Sequence, residues 1–225
     1  MLGKPADPWE EDNRAIFRFN DRLDKALFEP AAKAYVRVMP RPVRTGVSNF
    51  YDNITYLDTV LNDFLQGKGR QGIADTGRFL INSTVGILGI FDVATRMGLD
   101  EHDEDFGQTL AVWGSREGNY LILPLLGPST ERDAPGWVVS SVTNVLAYAV
   151  EGSALLPLSL LGVIDARARA RGAFEFADRT ALDRYTFIRE AYRQRRTYLI
   201  YDGSPPLVDF FEDIDESPPP GGVPP

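Results

Sequence analysis

The segment from residue 82 to residue 91 reads Asn82-Ser83-Thr84-Val85-Gly86-Ile87-Leu88-Gly89-Ile90-Phe91 and contains no charged side chain. Because a glycine destabilises a helix interior by up to about 1 kcal/mol relative to alanine, two glycines among aliphatic residues predict a bend or hairpin between two helices. An apolar hairpin can be a buried loop of the core or can dip into the interface of a bilayer. From the residues alone, the core is the commoner location.

Helical patterns flank this segment on both sides, and strand patterns are almost absent. Apolar residues recur every three or four positions within 13–27, as on one helical face: Ile16, Phe19, Leu23 and Leu27. Pro40 and Pro42 end that region and can begin the next helix. A further helix is predicted over 56–65 and is closed by Gly67.

The second half of the chain shows the same preference for helix. Ser129 is predicted to begin a helix that continues to about Val150. Asp165 and Asp183 are predicted to cap the last two helical segments, which end near Tyr201. The sequence therefore predicts an all-α fold.

Four stretches lack charge, namely 79–91, 118–130, 134–150 and 152–164. Each is shorter than the roughly 18–20 apolar residues that cross a hydrocarbon core, so a conventional transmembrane helix is not predicted. In 137–150, one face of the predicted helix carries only neutral polar groups: Ser140, Ser141, Asn144 and Tyr148. Such a face suits the wall of a cavity that a polar headgroup passes, and ordinary helix packing with locally bonded hydroxyls explains it equally well.

The composition excludes several classes of function. The formal net charge of -8 argues against nucleic-acid binding, and the absence of cysteine excludes disulfides and thiol catalysis. There is no Gly-x-Ser-x-Gly elbow, no His-Glu-x-x-His and no phosphate loop. The single histidine, His102, lies in the acidic run 100–105, which lacks calcium-loop spacing and is more typical of a solvated loop. We predict no enzyme, no cofactor and no metal site.

The C-terminal region differs in kind. Nine arginines between 167 and 196 could meet phosphates or an acidic partner, although ion pairs with neighbouring acids are the commoner explanation. Residues 204–225 form a predicted disordered, proline-rich, acidic tail. It contains a short stretch that a partner could bind: Asp209, Phe210, Phe211, Glu212 and Asp213. A solvated terminus without a role is the alternative.

Taken together, the motifs resemble those of the MlaA family, also called VacJ, from Asp7 to Gly203. The motifs in order are Asp7-Pro8-Trp9-Glu10, Asn13-Arg14, Pro40-Arg41-Pro42-Val43-Arg44, Asn49-Phe50, Asn62-Asp63-Phe64-Leu65-Gln66-Gly67, Arg78-Phe79, Asn82, Gly86, Gly89, Phe106-Gly107-Gln108-Thr109-Leu110, Gly127-Pro128-Ser129, Arg189-Glu190-Ala191-Tyr192 and Asp202-Gly203. Each motif is weak alone, but their joint order is specific.

The resemblance implies an outer-membrane lipoprotein on the periplasmic side, whose ring-like helical body (residues 1–203) surrounds an amphipathic channel in the inner leaflet. It would remove mislocalised phospholipid from the outer leaflet and pass it to a soluble periplasmic carrier (MlaC-like), in association with trimeric porins. The family's precursor carries a lipidated cysteine after its signal. Because this chain has no cysteine, we expect that the signal and the anchor have been removed from it.

The resemblance also suggests roles for the segments above. The hairpin would flank the channel and control its opening, with flexibility supplied by its glycines: Asn82, Val85, Gly86, Ile87, Leu88, Gly89, Ile90 and Phe91. The residues Ser140, Ser141, Asn144 and Tyr148 would form part of the channel wall. The alternative is a porin-docked scaffold that recruits the carrier through the tail while lipid passes elsewhere.

Overall fold

The structure is a computed structural model, and it describes residues 7–150 and 152–206. Most of this part of the chain is helical. The helices are α1 (Glu10–Leu23), α2 (Glu29–Val38), α3 (Arg41–Leu65), α4 (Gly69–Thr84), α5 (Val93–Arg96), α6 (Phe106–Val112), α7 (Ala134–Thr143), α8 (Leu146–Ala149), α9 (Leu155–Arg169), α10 (Arg171–Thr180) and α11 (Arg184–Ile200). A π-helical turn, Asp24–Phe28, joins α1 to α2, and a 3₁₀ turn, Gly152–Ala154, precedes α9.

In the first half of the chain, helices end and begin near the predicted prolines and glycine, but the helices are longer than predicted. Met39 is extended, as expected for a residue before a proline, and Pro42 lies in the first turn of α3. α3 runs for 25 residues, so the predicted helix over 56–65 is only its last part. Gly67 follows with φ of +78°, a left-handed conformation that glycine adopts without strain, and it ends the helix as predicted.

The prediction of an all-α fold is wrong at one place, because residues 120–130 form an antiparallel β-hairpin. β1 (Tyr120–Leu123) pairs with β2 (Gly127–Thr130), and Tyr120 lies opposite Thr130. Ser129 therefore belongs to a strand and does not begin a helix. The signal was missed because the hairpin depends on α1: the Asn13 side chain donates to the carbonyl of Tyr120 (2.9 Å) and accepts from the amide of Ile122 (2.8 Å).

Two further helix predictions in the second half need correction. The helix predicted to reach Val150 ends at Thr143, because Asn144 is extended (ψ 105°) and its side-chain oxygen accepts the amide of Leu146 (3.0 Å). Asp165 lies inside α9 and is not a cap. Asp183 does cap α11, since its carboxylate accepts the amide of Tyr185 (3.0 Å).

Burial in this fold is inverted relative to an ordinary globular protein. Among the described residues, the buried apolar side chains that pack against one another are few, and they form a small cluster of Tyr120, Ile122 and Tyr185. Fully buried polar side chains are more numerous, and they include Asn62, Asp63, Asp75, Gln108, Thr109 and Asp165. Large apolar side chains are exposed on almost every helix. Because exposed apolar surface and buried polar groups are the informative deviations in a soluble fold, this surface is suited to an apolar surrounding.

Candidate functional site

The uncharged segment 82–91 comprises the last turn of α4 and a compact series of turns that leads to α5. The amides of Leu88 and Gly89 donate to the carbonyls of Ser83 (2.9 Å) and Asn82 (2.8 Å). Ile87 and Leu88 both adopt left-handed backbone conformations, with φ of 53° and 56°. A β-branched residue rarely adopts this conformation, so the surrounding contacts must hold the segment in it. We call residues 85–91 the apolar turn.

Asn82 holds the base of the apolar turn together. Its side-chain oxygen accepts the amides of Val93 and Ala94, both at 2.9 Å, and its side-chain nitrogen donates to the carboxylate of Asp92 (3.1 Å). These bonds fix the exit of the turn onto α5. The sequence grouped Asn82 with the apolar residues, and the structure gives it this bracing position.

The two glycines of the apolar turn permit close approach of the chain to itself. A Cβ on Gly86 would lie 2.3 Å from the carbonyl oxygen of Phe91. A Cβ on Gly89 would lie 2.3 Å from Cβ of Asn53 on α3. The packing around both glycines is so tight that it requires residues without a side chain. The flexibility that the resemblance implies for these glycines stays a prediction.

The apolar turn presents its aliphatic side chains in two directions. Val85, Ile87 and Leu88 are exposed, with 67%, 57% and 63% of their surface accessible. Ile90 points back toward α3, where its Cγ2 lies 3.1 Å from the Cβ position of Gly46. The exposed side chains therefore form a tip, and Ile90 with Phe91 faces a cavity behind it.

That cavity has a volume of about 920 Å³. Its lining comes from the N-terminal half of α3, the apolar turn, α5 and α9: Pro42, Val43, Thr45, Gly46, Val47, Asn49, Phe50, Tyr51, Ile90, Phe91, Asp92, Arg96, Leu158 and Leu161. The surface is mostly apolar, and its polar or charged residues include Thr45, Asn49, Asp92 and Arg96. A cavity of this size and lining is typical of a site for a small apolar or amphipathic molecule. We call it the apolar cavity.

The walls of the apolar cavity are held by contacts between α3 and its neighbours. The side chain of Asn49 donates to the carbonyl of Ile90 (3.2 Å). The Tyr51 hydroxyl donates to the carbonyl of Leu158 on α9 (2.6 Å), and the ring of Tyr51 occupies the space that a Cβ on Gly162 would enter. The lack of charge in 152–164 and the motif Asn49-Phe50 are both visible in the sequence. Their position at one site is not, because only the tertiary fold brings α3 and α9 together.

The four residues predicted for the channel wall lie elsewhere and do not line the apolar cavity. The Ser140 hydroxyl donates to the carboxylate of Asp58 (2.5 Å), and burial raises the pKa of that carboxyl. The Ser141 hydroxyl donates to the carbonyl of Trp137 (2.6 Å). Asn144 bonds the amide of Leu146, and the Tyr148 side chain is exposed. No contact of these residues tests their assignment to a channel, which stays a prediction.

The acidic run 100–105 is engaged in contacts, whereas the sequence favoured a solvated loop. Glu104 is buried and receives a salt bridge from Lys68 (2.7 Å). Nδ1 of His102 lies 2.9 Å from a carboxylate oxygen of the buried Asp75. In the part of the chain that the structure describes, no group of three or more His, Asp or Glu is arranged to hold a metal ion.

The arginines of the last helix largely form ion pairs within the fold, which is the commoner of the two explanations considered. Arg189 is buried and bonds the carboxylate of Asp7 (3.1 Å), and Arg196 bonds Asp133 (3.0 Å). The proposed partner-binding stretch 209–213 lies outside the described residues.

The apolar exterior, the polar interior and the large apolar cavity define a helical protein of the membrane-associated class, although no helix within residues 7–150 or 152–206 is long and apolar enough to span a bilayer. The model of the MlaA lipoprotein family matches residues 5–199, and the chain belongs to that family. This is a family of transport lipoproteins and not of enzymes, in agreement with the sequence-based prediction.

Known relatives and a solved structure agree with this membership. The chain is 30% identical over 215 residues to the intermembrane phospholipid transport system lipoprotein MlaA of Haemophilus influenzae, covering 93% of this chain and 84% of that protein. It is 33% identical over 202 residues to the protein of the same name from Escherichia coli K12, covering 88% and 80%. A structure reported under "Structural basis for maintenance of bacterial outer membrane lipid asymmetry" matches with a TM-score of 0.75 and 31% identity, covering 87% of this chain and all of the other.

Proposed function

We propose that this chain is an outer-membrane lipoprotein of phospholipid transport that helps to maintain lipid asymmetry. In this proposal it takes mislocalised phospholipid from the outer leaflet and passes it to a periplasmic carrier. The observation that carries the proposal is the apolar cavity of about 920 Å³ between α3, the apolar turn and α9. Membership of the MlaA lipoprotein family supports the same conclusion.

The inverted burial supports a position inside one leaflet. Exposed aliphatic and aromatic side chains would contact acyl chains, while buried polar side chains such as Asn62, Asp75 and Asp165 accept hydrogen bonds from other side chains. In this proposal the domain (residues 1–203) lies in the periplasmic leaflet of the outer membrane. No helix within residues 7–150 or 152–206 is long and apolar enough to span a bilayer. The exposed tip of the apolar turn is suited to this contact, since Leu88 and Ile87 would otherwise be held in water.

The proposed mechanism is physical translocation without a covalent step. Acyl chains would occupy the apolar cavity against Phe50, Ile90 and Leu161, and the headgroup would stay at its polar edge. The bracing bonds of Asn82 and the close fit of Gly89 against Asn53 would keep the apolar turn in place beside the cavity. No cofactor is required, because energy would enter elsewhere in the pathway.

The decisive test changes the apolar turn. In cells that depend on this protein, Leu88→Asp combined with Ile90→Asp should let phospholipid accumulate in the outer leaflet, measured by its accessibility to an outer-leaflet acyltransferase or phospholipase. The matched control is Leu182→Asp, an exposed leucine between α10 and α11. Undisturbed asymmetry in the double variant would show that the turn has no part in transport.

A biochemical test accompanies this one. Protein purified in mild detergent should carry co-isolated phospholipid, which mass spectrometry detects. Replacing Gly46 by leucine should place a side chain where Ile90 Cγ2 now lies and should reduce the lipid that co-purifies. Lipid-free protein under all detergent conditions would contradict the proposal.

The carrier and the porins stay proposed partners. Deletion of residues 204–225 tests whether the acidic stretch 209–213 recruits the carrier, as the scaffold alternative requires. The measurement is the affinity for the carrier, and undiminished affinity would remove the tail from the mechanism.

A further inference from the structure

A second, polar cleft adjoins the apolar cavity at the start of α3. Its volume is about 350 Å³, and its lining comes from α2, α3 and α9: Tyr35, Arg41, Arg44, Thr45, Ser48, Asp165, Ala168 and Arg169. Thr45 lines both this cleft and the apolar cavity, so the two are neighbours across one turn of α3. We call it the cationic cleft. Its position beside an apolar cavity is the arrangement that a molecule with apolar chains and a polar end would fit.

The charges in the cationic cleft do not cancel. Asp165, which is fully buried, accepts hydrogen bonds from Tyr35 (3.0 Å) and Ser48 (2.8 Å) and a salt bridge from Arg169 (3.2 Å). Arg169 also bonds the carboxylate of Asp52 at 2.9 Å. Asp165 and Asp52 thus bring two negative charges to the single charge of Arg169, and one net positive charge remains when Arg41 and Arg44 are counted.

Arg41 and Arg44 are the cations left over. Neither guanidinium forms an ion pair with a carboxylate of residues 7–150 or 152–206. Nε of Arg44 donates to the carbonyl of Met39 (3.2 Å), which leaves its terminal nitrogens for another acceptor. Two arginines beside a cleft offer the forked donors that match the oxygens of a phosphate.

Their position on the helix strengthens this argument. Arg41 and Arg44 lie in the first turn of the 25-residue α3, which has no acidic residue there and no side-chain cap. The amino end of a helix carries a partial positive charge, so cations there are unfavourable. An anion placed at this end would be attracted by the helix and by both arginines.

We infer that the cationic cleft binds the phosphate group of the lipid whose acyl chains occupy the apolar cavity. This inference rests on the proposed function and adds to it the place where the phosphate binds and the two residues that hold it, Arg41 and Arg44. Arg41 and Arg44 hold the phosphate oxygens, and Thr45 lies at the boundary between the headgroup and the chains. The binding energy of the cleft fixes which end of the lipid lies toward α2.

Equilibrium binding in detergent micelles, followed by native mass spectrometry, tests the inference. The two lipid probes are phosphatidylglycerol and a diacylglycerol with the same acyl chains, and inorganic phosphate is a third probe. The unchanged protein should bind phosphatidylglycerol about tenfold more tightly than the diacylglycerol, as two charge-assisted contacts allow. The double variant Arg41→Gln, Arg44→Gln should lose this preference and keep its affinity for the diacylglycerol.

The matched control is the double variant Arg70→Gln, Arg116→Gln. It makes the same change of net charge at two exposed arginines that line neither cavity, and it should keep the tenfold preference. An equal loss in this control would show that only overall charge matters, which would overturn the inference. A preference that survives in the Arg41, Arg44 variant would also overturn it.

The remaining outcomes separate the inference from the proposed function. If the protein binds both lipids with equal affinity, the apolar cavity stands and the phosphate site fails. If it binds neither lipid, the proposed function fails and the inference with it. If inorganic phosphate alone binds through Arg41 and Arg44 while lipid preference is unaffected, the cleft takes a free anion, and the lipid assignment is wrong.

Discussion

Gly89 of the apolar turn lies against Asn53 of α3 so closely that a Cβ on the glycine would be 2.3 Å from Cβ of the asparagine. Gly89 also has φ of +89°, which an L side chain rarely adopts. Asn53 in turn donates to the Ser83 hydroxyl at the end of α4 (2.9 Å). This contact joins the middle of α3 to the turn that borders the cavity.

The first prediction concerns this contact. Gly89→Ala should lower the free energy of unfolding by roughly 2–3 kcal/mol, because backbone strain and the clash with Asn53 add together. Gly77→Ala is the control, since a Cβ at this α4 glycine would meet nothing within 4 Å, and it should be neutral or slightly stabilising. Denaturant titration in detergent measures both. Equal stability of the two variants would mean that the apolar turn can shift to accommodate the added Cβ at little cost in free energy.

The second prediction concerns pH. Burial, together with the neighbouring Asp75, raises the pKa of Asp63 from 3.8 to about 8. The folded protein therefore keeps a proton that the unfolded chain releases near pH 4, and stability should fall as pH rises from about 4 to about 8, by roughly 2–5 kcal/mol. Above that range the loss should level off.

The variant Asp63→Asn isolates this effect. An amide has no proton to lose, so the fall in stability between pH 4 and 8 should largely disappear. The control Asp100→Asn makes the same change of net charge at an exposed aspartate, and it should retain the fall in stability seen in the unchanged protein. A pH profile that is the same in all three proteins would show that Asp63 is ionised in the folded state.

The third prediction concerns Arg78, a buried guanidinium under the apolar turn. It bonds the Thr95 hydroxyl (2.8 Å), the carbonyl of Leu99 (2.8 Å) and the carboxylate of Asp92 (2.9 Å). A lysine ammonium cannot reach all three acceptors, so Arg78→Lys should destabilise the protein by roughly 2–4 kcal/mol.

The control for this prediction is Arg70→Lys on the exposed surface of the same helix, which should change stability by less than about 0.5 kcal/mol. Thermal unfolding followed by circular dichroism measures both variants. If Arg78→Lys unfolds at the same temperature as the control, its three bonds contribute nothing to stability.

The fourth prediction concerns the β-hairpin. Asn13→Ala would leave the carbonyl of Tyr120 and the amide of Ile122 unpaired in a buried place, with an expected loss of roughly 2–4 kcal/mol. Asn20 makes the same pair of bonds with Leu123 (3.0 Å) and Leu125 (2.9 Å). Because Leu125 is exposed, water can replace these bonds, and Asn20→Ala should cost about 1 kcal/mol or less. Near-equal losses would contradict this difference in burial.

The sequence predicts those features that depend on neighbouring residues. Gly67 ends α3 and Asp183 begins α11 as expected, because a left-handed glycine and a capping carboxylate act over one turn of helix. The residues of the apolar turn could also be found, since two glycines and the lack of charge are visible in ten consecutive positions. These local signals can be read without knowledge of the tertiary contacts.

The remaining features depend on contacts between distant parts of the chain. The β-hairpin is fixed by Asn13, which lies 107 residues before its partner Tyr120, and no pattern within residues 120–130 reports that bond. Likewise, Leu158 of α9 lines the apolar cavity beside α3, and its carbonyl accepts a hydrogen bond from Tyr51, which lies 107 residues earlier. The break at Asn144 depends on a side-chain bond to the amide of Leu146, which a helix-favouring composition conceals.

The polar interior also limits which amino-acid substitutions this protein can accept during evolution. An apolar core tolerates exchange of one aliphatic side chain for another of similar volume. Here Asp63, Asp75 and Arg78 each form hydrogen bonds with specific side chains. A replacement at one of these positions therefore requires a compensating replacement at its partner. Substitutions should therefore accumulate freely at the exposed apolar positions. At the buried polar positions they should occur only in matched pairs, which is the opposite of the pattern in water-soluble domains.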